Sequence, residues 1–335
     1  MAMGWKGFIL VETDDAFLPF TSFDLTEKDQ TIPAGDVHGG GIAGQTTAGF
    51  ASETSAADGQ LSYDGGISGN IYAGTGSYGT AFRRLISKCV DYTDRLCGFE
   101  TATPLKISPG GATVNTKKAF QYPGDDTIDG IDGGSSRSIH RCVVSSMSIN
   151  GGTGGLSTFS ANLISSTRKE IDVTPSVADL EYETAGADLG ENNPVPWHKT
   201  DLAVDSTIGE TLLEERITGF TINVDNQSIP VYTFNRARTI RDVYQSQIIV
   251  TGTFDYYAAN GEFGDLSKAF GSAGSPAIVA TFGIGGGAPI ILTIPFVVLD
   301  VKPIPGGGNN ELIYRNVSWR GLAADPGTLG AINLT

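Results

Sequence analysis

Apolar and polar positions alternate along residues 217–225, where Ile217, Phe220, Ile222 and Val224 are set against Thr218, Thr221, Asn223 and Asp225. A period of two places one set on each face of a strand, so the pattern predicts a strand with one face buried. Asp225-Asn226 ends the run with turn chemistry, because short Asx side chains hydrogen-bond their own backbone and tolerate positive φ. A second run, 245–257, is rich in Thr, aromatic and β-branched residues, with Gly252 at its centre marking a bend or bulge. The excursion between the two runs carries Arg236, Arg238 and Arg241.

The same reading predicts strands at 4–11, 20–25, 60–72, 137–149, 156–164, 277–282, 289–301 and 312–323. The glycines 151–155 turn the chain between the 137–149 and 156–164 strands. Residues 105–107 and 113–122 read as a hairpin through Pro109-Gly110-Gly111. The clearest helix is 80–90, where Phe82, Leu85, Ile86 and Cys89 fall on one stripe at helical spacing and so cover a sheet. A second, short helix is expected at 262–270.

Two stretches lack a core pattern. Residues 26–59 are rich in Gly, Ala, Thr and Ser, and their apolar side chains, Ile32, Val37, Ile42 and Phe50, are too sparse for a core. The segment, beginning near Gln30, is expected to be an assembly arm that orders only where an interface offsets the entropy lost. Residues 167–211, acidic and Pro-bearing, read as a surface linker or insertion.

With 45 Gly among 335 residues and few helical patterns, the composition points to an all-β architecture with minor α, in two units of ordinary domain size. Net charge is −15, from 37 acidic against 22 basic residues, which argues against attraction to nucleic-acid phosphates. The odd count of cysteines, Cys89, Cys97 and Cys142, reads as reduced thiols of a cytoplasmically made chain rather than a disulfide framework. The N-terminal apolar run has one Lys and no small-residue cleavage site, so a secretory signal is not expected. The best apolar stretch, 288–301, is interrupted by Pro295 and ended by Asp300, so no membrane span is expected.

Candidate chemistry is sparse. Asp125, Asp126, Asp129 and Asp132 lie among glycines in GDDTIDGIDGG, a composition that can wrap calcium, but Ser136 stands where an EF-hand loop needs its bidentate Glu. The loop reads as a solvated acidic turn. His38, His140 and His198 lack zinc-ligand spacing, and no G-x-S-x-G elbow exists. The GIGGGAP run at 283–289 leads into a strand rather than the helix N-terminus that would hold a phosphate. No cofactor and no enzyme activity is expected. Arg236, Arg238 and Arg241, without interleaved aromatics in an acidic chain, are read as meeting carboxylates of a neighbouring subunit.

The strand GFTINVDNQ, the basic loop, the strand QSQIIVTGTFDYY, a short helix and a strand ending in PFVVL together resemble the tail tube proteins of long-tailed bacteriophages. The resemblance implies β-sandwich or half-barrel units, each with a flanking helix, whose sheets join neighbours to line a ring-shaped β-barrel. It further implies that rings stack into a hollow tube through which viral DNA is ejected, with a long loop reaching the next ring. The tube would be assembled in the host cytoplasm and work with tape measure, terminator and baseplate proteins. Weak internal similarity divides the chain into units 1–166 and 212–335. Phe20-Thr21 matches Phe220-Thr221, Gln60 matches Gln247, Gly79 matches Gly264, Gly110-Gly111-Ala112 matches Gly286-Gly287-Ala288, and Arg141-Cys142-Val143 matches Arg315-Asn316-Val317. If the unit is duplicated, three chains supply six quasi-equivalent domains; if not, six chains form the ring. The second reading is another tail component on the same unit, a terminator or baseplate protein. A carbohydrate-binding or adhesin module would want grouped aromatics, and Trp5, Trp197 and Trp319 are scattered.

Overall fold

A computed structural model describes residues 7–11, 16–24, 26–33, 56–90, 105–111, 137–170, 193–205, 217–232, 240, 242–245, 247–258, 277–300, 313–322 and 332–334. In chain order the strands are β1 (Gly7–Val11), β2 (Ala16–Pro19), β3 (Ser22–Phe23), β4 (Thr26–Pro33), β5 (Ala56–Asn70), β6 (Leu105–Gly111), β7 (Arg137–Gly152), β8 (Thr158–Glu170) and β9 (Thr200–Asp205). They continue with β10 (Ile217–Asp225), β11 (Ser228–Val231), β12 (Asp242–Gln245), β13 (Ile249–Ala258), β14 (Ala277–Phe282), β15 (Ile290–Ile294), β16 (Val297–Asp300), β17 (Ile313–Gly321) and β18 (Asn333–Leu334). The helix α1 spans Ser77–Val90. The fold is all-β with minor α, as the composition implies.

One antiparallel sheet of twelve strands organises the chain. Its main run is β3/β4, β5, β8, β7, β10, β13, β17, β16, so strands from both halves of the sequence belong to the same sheet. The long strand β7 makes this possible. Along one edge it pairs with β8; along the other, residues Ser146–Gly152 pair with β10 while Ile139 and Cys142 pair with β6. From β6 a branch continues through β1 to β2.

The second layer is mixed. A four-stranded sheet, β18-β15-β14-β9, and the helix α1 share one apolar core with the large sheet. The predicted stripe of α1 is the buried one: Phe82, Leu85, Ile86 and Cys89 are essentially inaccessible, and such side chains each contribute about 1.5–3 kcal/mol on burial. The ring of Phe82 lies 5.0 Å from that of Phe159 on β8, and that of Phe220 on β10 lies 6.1 Å from that of Phe282 on β14. These two contacts tie the layers together in each half.

Four sequence expectations are corrected. Residues 26–33 are strand, not loop, because they extend the antiparallel ladder of β5, Thr26 opposite Asp64 and Pro33 opposite Ala56. Pro109-Gly110-Gly111 does not turn: the three residues continue β6 opposite Ile9, Phe8 and Gly7. The proline is tolerated because, among the described residues, β6 pairs with β7 only as far as Ile107. Within 167–211, β9 pairs with β14 and buries Leu202 and Val204, so that part is core rather than surface linker. Gly252 neither bends nor bulges its strand; it pairs regularly with Ile222 and Trp319. The expected elements at 113–122 and 262–270 lie outside the described residues.

Candidate functional site

The buried set of β10, Phe220, Ile222 and Val224, points into the core, which leaves the alternate set on the open face of the large sheet. The same parity holds in the neighbouring strands. One row of directly opposed residues crosses all eight positions: Ser22, Ser68, Ser160, Ser148, Asn223, Thr251, Arg320 and Val298. A parallel row runs Asn70, Thr158, Asn150, Thr221, Thr253, Ser318 and Asp300.

Apart from Arg320 and Val298 these side chains are short and polar, and several on this face are bonded to one another. The hydroxyls of Ser22 and Ser68 are 2.7 Å apart, the Thr221 hydroxyl donates to Asn150 Oδ1 at 2.8 Å, and Asn162 Nδ2 donates to Ser146 Oγ at 2.8 Å. Asn316 Nδ2 donates to Asp255 Oδ1 at 3.2 Å, and the Asp24 carboxylate accepts from the Gly66 amide. Cross-strand pairs of this kind hold their groups against the sheet. Among the residues whose side chains are described, the face carries Asp24, Asp64, Asp225, Asp255, Asp300 and Arg320. The result is a polar surface, acidic in balance over its described side chains and covered at Val143 and Ile164 by Ile240 and Val243 of the β11–β12 region. Among the described residues it offers neither grouped cations nor stacked aromatics to a polynucleotide.

The chain matches the family model described as phage tail tube protein over residues 43–321, most of its length and all eight positions of the sheet except the first edge. The chain belongs to the phage tail tube protein family. A search of curated proteins finds no match. As a tail tube protein it is a structural component of the virion tail, and the open face described above, like the core beneath it, spans both halves of the chain.

The residues singled out from the sequence fall unevenly. Gln30 and Ile32 lie in β4, on the outer side of β5, while Val37, Ile42 and Phe50 lie outside the described residues, as do Asp125, Asp126, Asp129 and Asp132. Arg236, Arg238 and Arg241 also lie outside them, between β11 and β12. Among the described residues no group of three or more His, Cys, Asp or Glu side chains could hold a metal, and no helix is long and apolar enough to cross a membrane.

Asn226 has a role that turn chemistry hides. Its side chain is fully buried, and Nδ2 donates to the Cys89 carbonyl at 3.0 Å and the Val144 carbonyl at 2.9 Å. It thereby satisfies a carbonyl left open in the last turn of α1 and clasps the helix to β7. The turn itself is carried by Gln227, at φ 45°, whose amide donates to Asp225 Oδ1 at 2.8 Å.

Proposed function

We propose that three copies of this chain close one ring of the tail tube, with pseudo-sixfold symmetry, and that the open face of the large sheet lines the lumen. The observation that carries the proposal is a repeated strand order. In the first half the sheet runs β3, β5, β8, β7; in the second it runs β10, β13, β17, β16. In each half the first strand pairs with the second, the second with the fourth and the fourth with the third, all antiparallel, and further strands stand between the first and second in sequence, β4 in one half and β11–β12 in the other. On this correspondence the units 1–166 and 212–335 are copies of one fold, and β17 answers to β8 rather than to the strand bearing Arg141.

The seam between the halves is the pairing of β7 with β10. Repeating that seam would bring β16 of one chain beside the β3–β4 edge of the next. Both edges are open among the described residues, and β16 presents Val298, 54% exposed, beside exposed Phe296 and Leu322. An open edge with apolar side chains invites uncontrolled pairing unless a designated partner takes it, and closure of a ring removes every such edge. The acidic balance of the face then keeps DNA mobile during ejection, with no specific binding. The segment 26–59, whose base is the β4–β5 ladder, serves as an arm to the adjacent ring, and Arg236, Arg238 and Arg241 meet carboxylates of a neighbouring copy. Tape measure, terminator and baseplate proteins complete the assembly.

The test is the mass of the smallest ring released from purified tubes. Three times the chain mass of 35.0 kDa is expected; a ring of six chains overturns the trimer.

A further inference from the structure

Inside one chain, the seam between the halves is held by more than paired edges. Beyond Asp225 the chain turns at Gln227 into the β11–β12 hairpin. Val243 of that hairpin, with Ile240, covers the apolar pair Val143 and Ile164, which stand opposite each other on the open faces of β7 and β8. Gln245 Nε2 adds a bond of 3.4 Å to the Val144 carbonyl. The second half thus lays the excursion between its first and second strands over an apolar spot on the first half. At the far margin of the sheet a similar spot is bare. Phe296 and Leu322 stand opposite each other, the Leu322 amide donating to the Phe296 carbonyl at 2.8 Å, and both are 39% exposed beside Val298 at 54%. With β16 answering to β7 and β17 to β8, Val298 takes the place of Ser148 and Arg320 that of Ser160. Phe296 and Leu322 therefore lie one same-face step from the position of Val143 and Ile164.

We infer that the corresponding excursion of a second copy, the β4–β5 ladder of the next chain in the same ring, covers Phe296 and Leu322. The inference rests on the reading that β16 pairs with the β3–β4 edge of the next chain. The in-chain seam sets Ser148 opposite Asn223 and Ser146 opposite Asp225. Carried over, that register sets Val298 opposite Ser22, and Phe296 opposite Asp24, of the next chain. Val243 lies six residues before Ile249, the partner of Asp225. In the first half Gln60 lies six residues before Gly66, whose carbonyl accepts from the Asp24 amide at 3.0 Å. Gln60, exposed in the single chain, therefore takes the place of Val243 over the apolar pair, its methylenes supplying the cover while its amide stays wet. Charge agrees with this partner. The β16–β17 margin carries Arg320 and the β3–β5 margin carries Asp24 and Asp64, so opposite signs meet across the seam. Apolar side chains left bare at a sheet margin invite uncontrolled association, and the next chain supplies their cover without any further component.

Phe296→Ser combined with Leu322→Ser tests the contact. The double variant is expected to keep the circular dichroism spectrum of the wild type while the concentration at which chains close into rings rises about tenfold, the scale of one lost apolar contact in an association constant. Ring closure at the wild-type concentration would overturn the inference. As an independent measurement, a chain carrying Gln60→Cys with Leu322→Cys is oxidised as assembled rings, beside a chain carrying Ser22→Cys with Val298→Cys that reports the edge pairing itself. Both are expected to link chain to chain and to stop at the chain number of one ring, and none of the four single variants is expected to link. Linkage through Ser22 and Val298 without linkage through Gln60 and Leu322 would overturn the inference and leave the ring reading standing. Products longer than one ring from the Gln60 and Leu322 chain would also overturn it, by placing the contact between rings. Rings in which neither chain links would overturn the edge pairing and the inference together.

Discussion

The indole of Trp319 occupies the place where a side chain at residue 252 would stand: a Cβ on Gly252 would lie 2.2 Å from Trp319 Cζ2 and 2.2 Å from the Thr221 carbonyl oxygen. The two residues are directly opposed in β13 and β17, so the glycine is required by the close approach of the ring. Gly252→Ala should lower stability by about 1–3 kcal/mol, the usual cost of overpacking. Trp319→Ala in the same chain should recover only part of the apparent penalty, because the Thr221 carbonyl still crowds the site. Denaturant midpoints of the two singles and the double variant give the coupling.

Asn226→Ala removes both hydrogen bonds that join α1 to β7 and leaves the Cys89 and Val144 carbonyls buried without that donor. The expected loss is about 1–3 kcal/mol. Gln227→Gly next to it, where φ is 45°, should be neutral or slightly stabilising, since glycine adopts that backbone freely. Thermal melting of the pair separates the clasp from the turn; equal losses would contradict the assignment.

Burial raises the carboxyl of Asp201 above its ordinary 3.8, opposed in part by the hydrogen bond from the Leu202 amide. The folded chain therefore holds this proton at pH values where the unfolded chain has lost it. Its contribution is most favourable below 3.8 and falls as pH rises through the folded value, then stays level. Asp201→Asn should remove that component, so the stability difference between variant and wild type should grow in the variant's favour across this window. A difference independent of pH would contradict it.

Much of the fold is legible in the sequence where one face of an element is buried and the other wet. The stripe Phe82, Leu85, Ile86 and Cys89 and the alternation of Phe220, Ile222 and Val224 are of that kind, and both point inward. The signal fails where tertiary context supplies the reason. β9 is six residues long beside Pro194 and Pro196, and only its partner β14 makes it a strand. Pro109 reads as a turn because its tolerance depends on β6 pairing with β7, among the described residues, only as far as Ile107, and Asn226 reads as a turn residue because its burial depends on a helix 137 residues away in sequence. The open face was visible only as polar alternation: Ser148, Ser160 and Asn223 carry no motif, and the register that aligns them is set by strand pairing across the whole chain.

If the open face lines the lumen, adding cations to it should slow DNA. Asn223→Lys and Ser148→Lys stand opposite each other on that face and replace no packed side chain. Tubes should assemble normally, while DNA ejection from particles carrying both substitutions should be slower at low salt and recover steeply as salt rises. Ejection at the wild-type rate in low salt would place the face elsewhere.

The central claim is tested most directly by a cryo-electron microscopy map of the assembled tube in which strands are traced. The account predicts three chains per ring, β16 of each hydrogen-bonded beside the β3–β4 edge of the next, and the row from Ser22 to Val298 facing the lumen. A ring in which β16 faces solvent, or in which Phe220, Ile222 and Val224 rather than Thr221, Asn223 and Asp225 point to the channel, would contradict it.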